Sequence, residues 1–249
     1  MVMTPQNPLN QSFKDRLRGG RDQYADDLRA SLRYWGFSAA TYTLRKNLLP
    51  LVKKFVSGEV LDAGAGGLHG RQLIEKYSRE YRSVDIKDRH GDLDLVADIQ
   101  DLSILEADVF DCVFCSQVLE HLPHPEKALA EFHRVLRSGG HVLITVPHLS
   151  ALHEEPHDYF RYTPYGLKNL MEEAGFEILE LNRSGGLITF VTHPVSYVLN
   201  TVGWRIPVFR WLVWLLNFLL VVWPSVFFDW VFRTGRIWPT NIIAVGRKR

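Results

Sequence analysis

Cysteine and net charge are both scarce in this sequence. The chain has two cysteines in 249 residues, which excludes the small disulfide-stapled scaffolds. Its net charge is +1. Cys112 and Cys115 fall in the apolar run 109–115, so we interpret them as buried packing residues in preference to a redox pair. No internal repeat is present, and the polar segment 1–10 has no secretion signal. A cytoplasmic location is therefore expected.

Charge is distributed unevenly along the chain. Residues 1–55 carry 10 Lys or Arg against 4 Asp or Glu, and residues 183–249 carry 8 against 1, so the segment between them is strongly acidic. An acidic centre argues against a nucleic-acid groove along the core, whereas basic ends suit an anionic lipid surface. Ordinary solvated helix faces would explain the N-terminal surplus equally well. We predict no nucleic-acid partner.

Apolar runs of strand length alternate with helical stretches over most of the chain. Because 46% of the residues are hydrophobic and 23% are charged, the chain has the composition of a globular protein that buries a core. The alternation predicts an α/β fold with a parallel sheet covered by helices. The predicted strands are 59–63, 82–86, 93–97, 109–115, 141–146, 176–181 and 241–245.

Helices are predicted between these strands and before them. Residues 125–136 and 164–174 are the clearest, since each begins with proline and has a glycine shortly after its end. Residues 21–55 mix apolar and charged positions at helical spacing, which predicts two N-terminal helices broken near Gly36.

The most informative segment is Val60–Gly67, where an apolar strand ends in an acid and enters a glycine-rich turn. A dinucleotide fingerprint would need a further glycine where His69 stands, and the Asp62 carboxylate would repel a pyrophosphate. A cationic ligand without phosphate, such as S-adenosylmethionine, fits better. Asp85 ends the next strand, where it would accept hydrogen bonds from ribose hydroxyls, and Asp98 follows the third, beside the position of an adenine. A helix N-cap or a surface position is the alternative for each acid taken singly.

With these motifs the chain resembles the class I S-adenosylmethionine-dependent methyltransferases, and specifically the branch called methyltransferase type 11. The similarity lies between Val60 and Leu181, about half of the chain. The matching stretches are VLDAGAG from Val60, VDIKD from Val84, ADIQDL from Ala97, FDCVFCSQVLEHLPHPEKAL from Phe110 and VLRSGGHVLITVPH from Val135.

The resemblance implies a doubly wound, Rossmann-like sheet of seven mostly parallel strands, whose last strand is antiparallel to the others. It also implies S-adenosylmethionine as the cofactor. The implied contacts are Asp62, Gly64 and Gly66 for the methionine part, Asp85 for the ribose, Asp98 and Ile99 for the adenine, and Cys115, Ser116 and Gln117 beside the sulfonium.

The loop after the fifth strand contains the candidates for a general base. Methyl transfer is an in-line displacement at an activated carbon, so a base is needed only for a weakly acidic nucleophile. His153 and His157 lie in the segment 147–162, which is expected to overhang the methyl group, and imidazole titrates near neutrality. A structural role is the alternative for both, and His121 is expected to pack beneath the site. The spacing of the histidines matches no established ligand motif, so we predict no metal.

Two uncharged hydrophobic runs, 184–204 and 211–228, lie between the sixth strand and the last, each near the length that spans a bilayer. If only one of them crossed, the last strand would lie on the far side of the membrane, so the number of crossings must be even or zero. Interrupting prolines and flanking tryptophans favour a helical hairpin lying in one leaflet, with membrane contact through 187–232. A two-pass hairpin and a buried lid or dimer interface are the alternatives.

These observations divide the chain into four predicted segments. They are an N-terminal helical cap, 1–55, an S-adenosylmethionine-binding α/β core, 56–183, a hydrophobic helical insertion, 184–238, and the last strand of the core sheet, 239–249. The predicted function is a cytoplasmic methyltransferase, peripherally attached to the inner face of a membrane, with a small-molecule or lipid-linked acceptor. The alternatives are a catalytically silent scaffold and an NAD(P)-dependent oxidoreductase.

Overall fold

The N-terminal part of the fold is a short helix followed by a long one. The structure is a computed structural model that describes Leu28, residues 31–204, Ile206 and residues 208–249. A 3-10 helix spans Leu32–Gly36, and helix α1 spans Ala39–Phe55 after a capping box between Ser38 and Thr41. The predicted break near Gly36 is confirmed. Most of the first predicted helix lies outside the described residues.

The remaining elements alternate between strand and helix before the helical insertion. In chain order they are β1 Glu59–Ala63, α2 Arg71–Ile74, β2 Glu80–Asp85, β3 Leu95–Val96, β4 Phe110–Ser116, α3 Pro125–Val135, β5 Leu136–Pro147, α4 Pro164–Glu173, β6 Phe176–Ser184, α5 Leu187–Trp204, α6 Arg210–Asn217, α7 Trp223–Phe232 and β7 Asn241–Lys248. Short 3-10 turns occupy Leu119–His121 and Thr234–Arg236, and a π-helical turn, Phe218–Val222, joins α6 to α7.

The seven strands form one sheet in the order β3-β2-β1-β4-β5-β7-β6. Strands β1 to β5 pair in parallel, and β7 pairs antiparallel with both β5 and β6. The predicted fold class is therefore confirmed. The chain order reverses direction between β1 and β4, and the carboxyl ends of strands at such a point form a crevice for a ligand.

Two predicted strand boundaries are wrong for identifiable reasons. Strand β3 keeps only two of the five predicted residues, because the Asp94 carboxylate accepts the backbone N–H and the hydroxyl of Ser83 where a ladder would begin. Strand β5 begins at Leu136, directly after α3, and not at His141. The four residues before His141 bulge out of the pairing with β4. Gly139 and Gly140, which lie before the predicted strand, therefore belong to an irregular part of β5.

Alternate residues of the central strands face two hydrophobic layers. One layer joins the sheet to α3 and α4 through side chains such as Phe132 and Met171, and the other joins it to α1 and α2 through side chains such as Leu48. Cys112 belongs to the second layer and Cys115 to the first, so their thiols point to opposite faces of β4. This geometry supports the packing interpretation of the two cysteines.

The insertion is an antiparallel hairpin of α5 against the continuous helix of α6 and α7. Gly203 of α5 packs against Val213, so that an added Cβ would lie 2.6 Å from a Val213 methyl carbon. At the other end, the Asp229 carboxylate accepts the backbone N–H groups of Ile188 and Thr189, each at 2.9 Å. These contacts fix both ends of the hairpin.

The hairpin is polar inside and apolar outside. Of the 29 large hydrophobic side chains that are exposed in the described part of the chain, 22 lie between residues 191 and 238. The side chains that the insertion buries are largely polar, namely Thr189, Ser196, Asn200, Thr201, Asn217, Ser225 and Asp229. Among the described residues, one helix, Arg210–Phe232, is long and apolar enough to cross a membrane, and α5 does not pass the same criteria.

Candidate active site

The glycine turn after β1 is bound to the end of β2. The backbone N–H groups of Gly64 and Ala65 donate to the carbonyl oxygen of Val84 at 2.8 and 3.0 Å. The N–H of Gly66 donates to the Asp85 carboxylate at 2.9 Å. The structure therefore brings the predicted residues Gly64, Gly66 and Asp85 together at one edge of the sheet.

Asp62 lies at the end of β1 beneath this turn and is almost fully buried. The Tyr81 hydroxyl donates to its Oδ2 atom at 2.6 Å. Burial raises the pKa of Asp62 to about 7, the hydrogen bond from Tyr81 opposes this, and the charge of Asp85 adds to it. An ammonium group would stabilise the charged carboxylate, so this residue fits the amino group of a methionine moiety.

Gly64, in the turn after β1, lies close to Val118, just after β4. Gly64 has φ of +79°, and a Cβ there would lie 2.4 Å from a methyl carbon of Val118. Only glycine fits this position, because both the backbone conformation and the neighbouring side chain exclude a larger residue.

Asp98 and Ile99 follow β3, and their side chains differ in exposure to solvent. The Asp98 carboxylate is half-buried and accepts hydrogen bonds from the backbone and side-chain amides of Gln100. The Ile99 side chain is buried in the layer that contains α3. Asp98 could therefore still accept a hydrogen bond from a ligand. A contact from Ile99 would use its backbone or the edge of its buried side chain.

The end of β4 supplies polar groups beside the crevice. Ser116 Oγ lies 2.8 Å from the Thr145 hydroxyl, and Gln117 donates to the same hydroxyl at 3.1 Å. Gln117 has φ of +58°, a left-handed conformation that turns the chain out of the strand. The Cys115 side chain is fully buried, and burial raises the pKa of its thiol, so a contact with the sulfonium would come from its backbone.

The loop after β5 is fastened to the turn after β4. The backbone N–H of Tyr159 donates to the carbonyl of Glu120 at 2.8 Å, and the Tyr162 hydroxyl donates to the carbonyl of Leu119 at 3.1 Å. His121 Nδ1 lies 2.6 Å from the carbonyl oxygen of His157. The two loops therefore form one unit at the carboxyl edge of the sheet.

The two predicted base candidates differ in surroundings. His157 is exposed, and its Nδ1 lies 3.1 Å from the Tyr159 hydroxyl. His153 is half-buried, and its Nδ1 lies 3.1 Å from the carbonyl oxygen of Ala151. Asp158 accepts two hydrogen bonds from Arg161, at 2.6 and 2.8 Å, which lower its pKa to about 2 and anchor the loop.

Glu120 is the residue of this region that the sequence analysis missed. It is fully buried, and burial raises its pKa to about 8. Its Oε1 atom lies 3.7 Å from His121 Nε2 and 3.9 Å from His153 Nε2. The LEHL motif contains both Glu120 and His121, so the signal was present, but the 31 residues between His121 and His153 hide their proximity.

A family profile covers more than half of the chain. Residues 34–181 match the profile of a family described as a methyltransferase domain. The chain belongs to this family of class I S-adenosylmethionine-dependent methyltransferases. The predicted family, enzyme class and cofactor are therefore confirmed.

Relatives agree with this assignment. A "probable S-adenosylmethionine-dependent methyltransferase" of Mycolicibacterium smegmatis is 31% identical over 151 residues, which cover 51% of this chain and 55% of that protein. The chain thus matches about half the length of this curated relative.

Solved structures show the fold. A methyltransferase of Archaeoglobus fulgidus superposes with a TM-score of 0.54 at 18% identity, covering 95% of this chain and 98% of that one. A Burkholderia thailandensis 1,6-didemethyltoxoflavin-N1-methyltransferase, bound to S-adenosylhomocysteine, gives 0.52 at 18% identity, with 99% and 93% covered.

Cofactor affinity should depend on pH through Asp62. Because burial raises the pKa of this carboxyl to about 7, the carboxylate that attracts an ammonium forms above pH 7 and is lost below it. We expect S-adenosylhomocysteine to bind about tenfold more weakly at pH 6 than at pH 8, measured by calorimetry. Asp62→Asn should bind weakly with a flat profile. Equal wild-type affinities at both pH values would contradict this role.

Replacing Gly64 should abolish cofactor binding, whereas a matched glycine should tolerate the same change. Gly91 has a similar φ of +74°, but a Cβ there meets nothing within 4 Å. Gly91→Ala should therefore show only the backbone penalty of about 1–2 kcal/mol in unfolding and an unchanged affinity. Gly64→Ala should also displace Val118 and lower the affinity for S-adenosylhomocysteine by about a hundredfold or more. Equal affinities for the two variants would refute the steric argument.

Proposed function

We propose that the whole protein is a cytoplasmic methyltransferase that works at the surface of an anionic membrane, and that it methylates a lipid-linked or membrane-partitioned acceptor. The observation that carries the proposal is the helical hairpin with polar side chains inside and apolar side chains outside. It extends from the same sheet edge as the glycine turn. Asn241, the first residue of β7, pairs with Pro147 and Ser184 at that edge. The apolar surface therefore begins at the same edge of the sheet as the glycine turn, two strands away from β4.

The residues at the sheet edge fit S-adenosylmethionine, which supplies a methyl group on a positively charged sulfur. In this proposal Asp62 would hold the ammonium, Asp85 would accept hydrogen bonds from the ribose hydroxyls, and Asp98 would accept one from the adenine amino group. The cofactor would supply its methyl carbon to the acceptor's nucleophilic atom and would keep the electron pair of the carbon–sulfur bond. Alignment and exclusion of water provide most of the acceleration.

The loop of residues 148–162 is proposed to cover the acceptor and to take up its proton. His157 is the more accessible candidate for the base, and the Tyr159 hydroxyl beside its Nδ1 orients the ring. His153 is the second candidate, although it lies among Glu120, His121 and Asp158. An oxygen or nitrogen acceptor needs such a base, and a sufficiently acidic acceptor does not.

The internal contacts of the hairpin support lipid contact. Thr192 and Ser225 share a hydrogen bond of 2.8 Å between the two helices, and Asn200 and Asn217 both donate to the carbonyl of Phe37. Helices in lipid associate through small and polar residues, because no hydrophobic effect drives apolar side chains from lipid into the helix interface. A hairpin in water would show the opposite arrangement.

A basic groove lies at the base of the hairpin, where headgroups would meet it. The groove has a volume of about 450 Å³ and includes the cations Lys46, Arg183, Arg233 and Arg236. Its one acid is Asp229, whose carboxylate accepts the N–H groups at the start of α5 and the Thr234 hydroxyl. The groove thus presents unbalanced positive charge next to apolar surface, which favours anionic lipid.

The enzyme assignment is tested by binding and turnover together. We expect S-adenosylhomocysteine to bind the wild type, Asp85→Ala to lose about tenfold or more in affinity, and the exposed control Glu106→Ala to lose none. Transfer of labelled methyl from S-adenosylmethionine to a lipid extract should follow the same order. Cofactor binding without turnover on lipid or water-soluble extracts would favour the silent scaffold. Binding of NAD(P) that survives Asp62→Ala would favour the oxidoreductase.

Membrane contact is tested by sedimentation with vesicles of phosphatidylcholine, with and without phosphatidylglycerol. We expect Leu220→Ser with Trp230→Ser to weaken binding to both vesicles about tenfold or more, because each side chain is over two-thirds exposed. Lys46→Glu with Arg236→Glu should remove only the preference for the anionic vesicles. Ile86→Ser and Arg89→Glu, exposed positions outside the insertion, are the matched controls.

Two outcomes, one of sedimentation and one of membrane extraction, would overturn the proposal that the hairpin lies in one leaflet. Wild-type protein that remains in the supernatant would support a buried lid or a dimer interface. Protein that stays in native membranes after alkaline carbonate extraction would support a hairpin that crosses twice.

A further inference from the structure

Three possible metal-ligand atoms lie close together between the turn after β4 and the loop after β5. They are a carboxylate oxygen of Glu120 and one ring nitrogen each of His121 and His153, and all lie within 4.8 Å of one another. We call these residues the Glu120 cluster. Neither carboxylate oxygen has a hydrogen-bond partner on any other described residue.

The protonation of His121 follows from its neighbour. Its Nδ1 lies 2.6 Å from the carbonyl oxygen of His157. A carbonyl oxygen only accepts hydrogen bonds, so Nδ1 must carry the proton. In the neutral ring this leaves the lone pair on Nε2, the atom 3.7 Å from Glu120 Oε1.

His153 shows the same arrangement. Its Nδ1 has two acceptors nearby, the Ala151 carbonyl at 3.1 Å and Asp158 Oδ2 at 3.6 Å, against one donor, an Arg161 nitrogen at 3.5 Å. The shortest contact is to the carbonyl, which places the proton on Nδ1. The Nε2 lone pair then faces Glu120 Oε1 at 3.9 Å.

The spacing of these atoms suits a metal ion better than a shared proton. A charge-assisted hydrogen bond would draw the nitrogen and oxygen atoms to about 2.8 Å. Ligand atoms about 2.1 Å from a tetrahedral metal lie roughly 3.4 Å apart, close to the observed 3.7 and 3.9 Å. A histidine ligand usually donates its other ring N–H to a carbonyl or carboxylate, as both rings do here.

We propose that Glu120, His121 and His153 bind a divalent transition-metal ion, with Zn²⁺ the best match to two imidazoles and one carboxylate. Three protein ligands leave one position of a tetrahedral ion open. The ion would neutralise the buried carboxylate, while the nearby Asp158 is already paired with Arg161. The proposal departs from the expectation, drawn from spacing alone, that this loop binds no metal, and it does not depend on the identity of the acceptor.

The test measures Zn²⁺ binding to chelator-treated full-length protein by competition with a chromophoric chelator. We expect one tight site per chain, and a loss of affinity of about a hundredfold or more in Glu120→Gln and in His153→Ala. The matched control is His124→Ala, because the His124 side chain is exposed and its ring lies 3.3 Å from the exposed Glu126, which does not belong to the Glu120 cluster. Its affinity should stay within twofold of the wild type.

Two further measurements separate a metal site from a merely structural cluster. Zn²⁺ should raise the melting temperature of the wild type and of His124→Ala but not that of Glu120→Gln, since an ion that binds only the folded state stabilises it. Co²⁺ in its place should give the visible absorption of a tetrahedral ion. Circular dichroism checks that the variants fold.

Three results would overturn the proposal. One is the absence of a tight Zn²⁺ site in the wild type, which would leave a proton as the partner of Glu120. Another is an affinity in both cluster variants equal to that of His124→Ala. The third is tighter binding of Mg²⁺ than of Zn²⁺, which the two nitrogen ligands exclude.

Discussion

The position of β7 is the constraint on which the rest of the structure depends. This strand lies antiparallel between β5 and β6, with Asn241 at the carboxyl edge of the sheet. The insertion therefore leaves β6 at Ser184 and returns at Thr240, whose backbone N–H donates to the Ser184 carbonyl at 2.9 Å. Any membrane element between these residues must come back to the side from which it started. A single crossing is incompatible with the sheet.

The same geometry couples the hairpin to the cofactor crevice through the N-terminal 3-10 helix. Tyr34 stacks on His69, next to the glycine turn, with ring centroids 3.7 Å apart. Two residues later, Gly36 faces the Trp214 ring of α6, so that an added Cβ would lie 2.5 Å from a ring carbon. A shift of the hairpin would therefore reach the turn by direct packing. His69, which stands where a dinucleotide fingerprint would need a glycine, thus has a packing role in this structure.

The sequence was most informative where a local pattern decides the structure. Strand runs, proline-initiated helices and the glycine turn at Gly64 follow from nearest neighbours along the chain, and the sheet confirmed them. The short β3 was not predictable in this way, because Asp94 competes for the Ser83 amide only once the two strands are side by side. The Glu120 cluster was missed for the same reason, since it forms only when two loops meet.

Charge at the sheet edge links ligand binding to stability. Asp62, Asp85 and Asp98 follow successive strands there, and the charge of Asp85 helps to raise the pKa of Asp62. The acidic residues that concentrate in the middle of the chain are thus partly assembled on one edge, where they repel one another. A cationic ligand relieves this repulsion and binds only the folded state, so it stabilises the fold by mass action. A positively charged nucleoside, and not a phosphate, would neutralise the negative charge of these carboxylates.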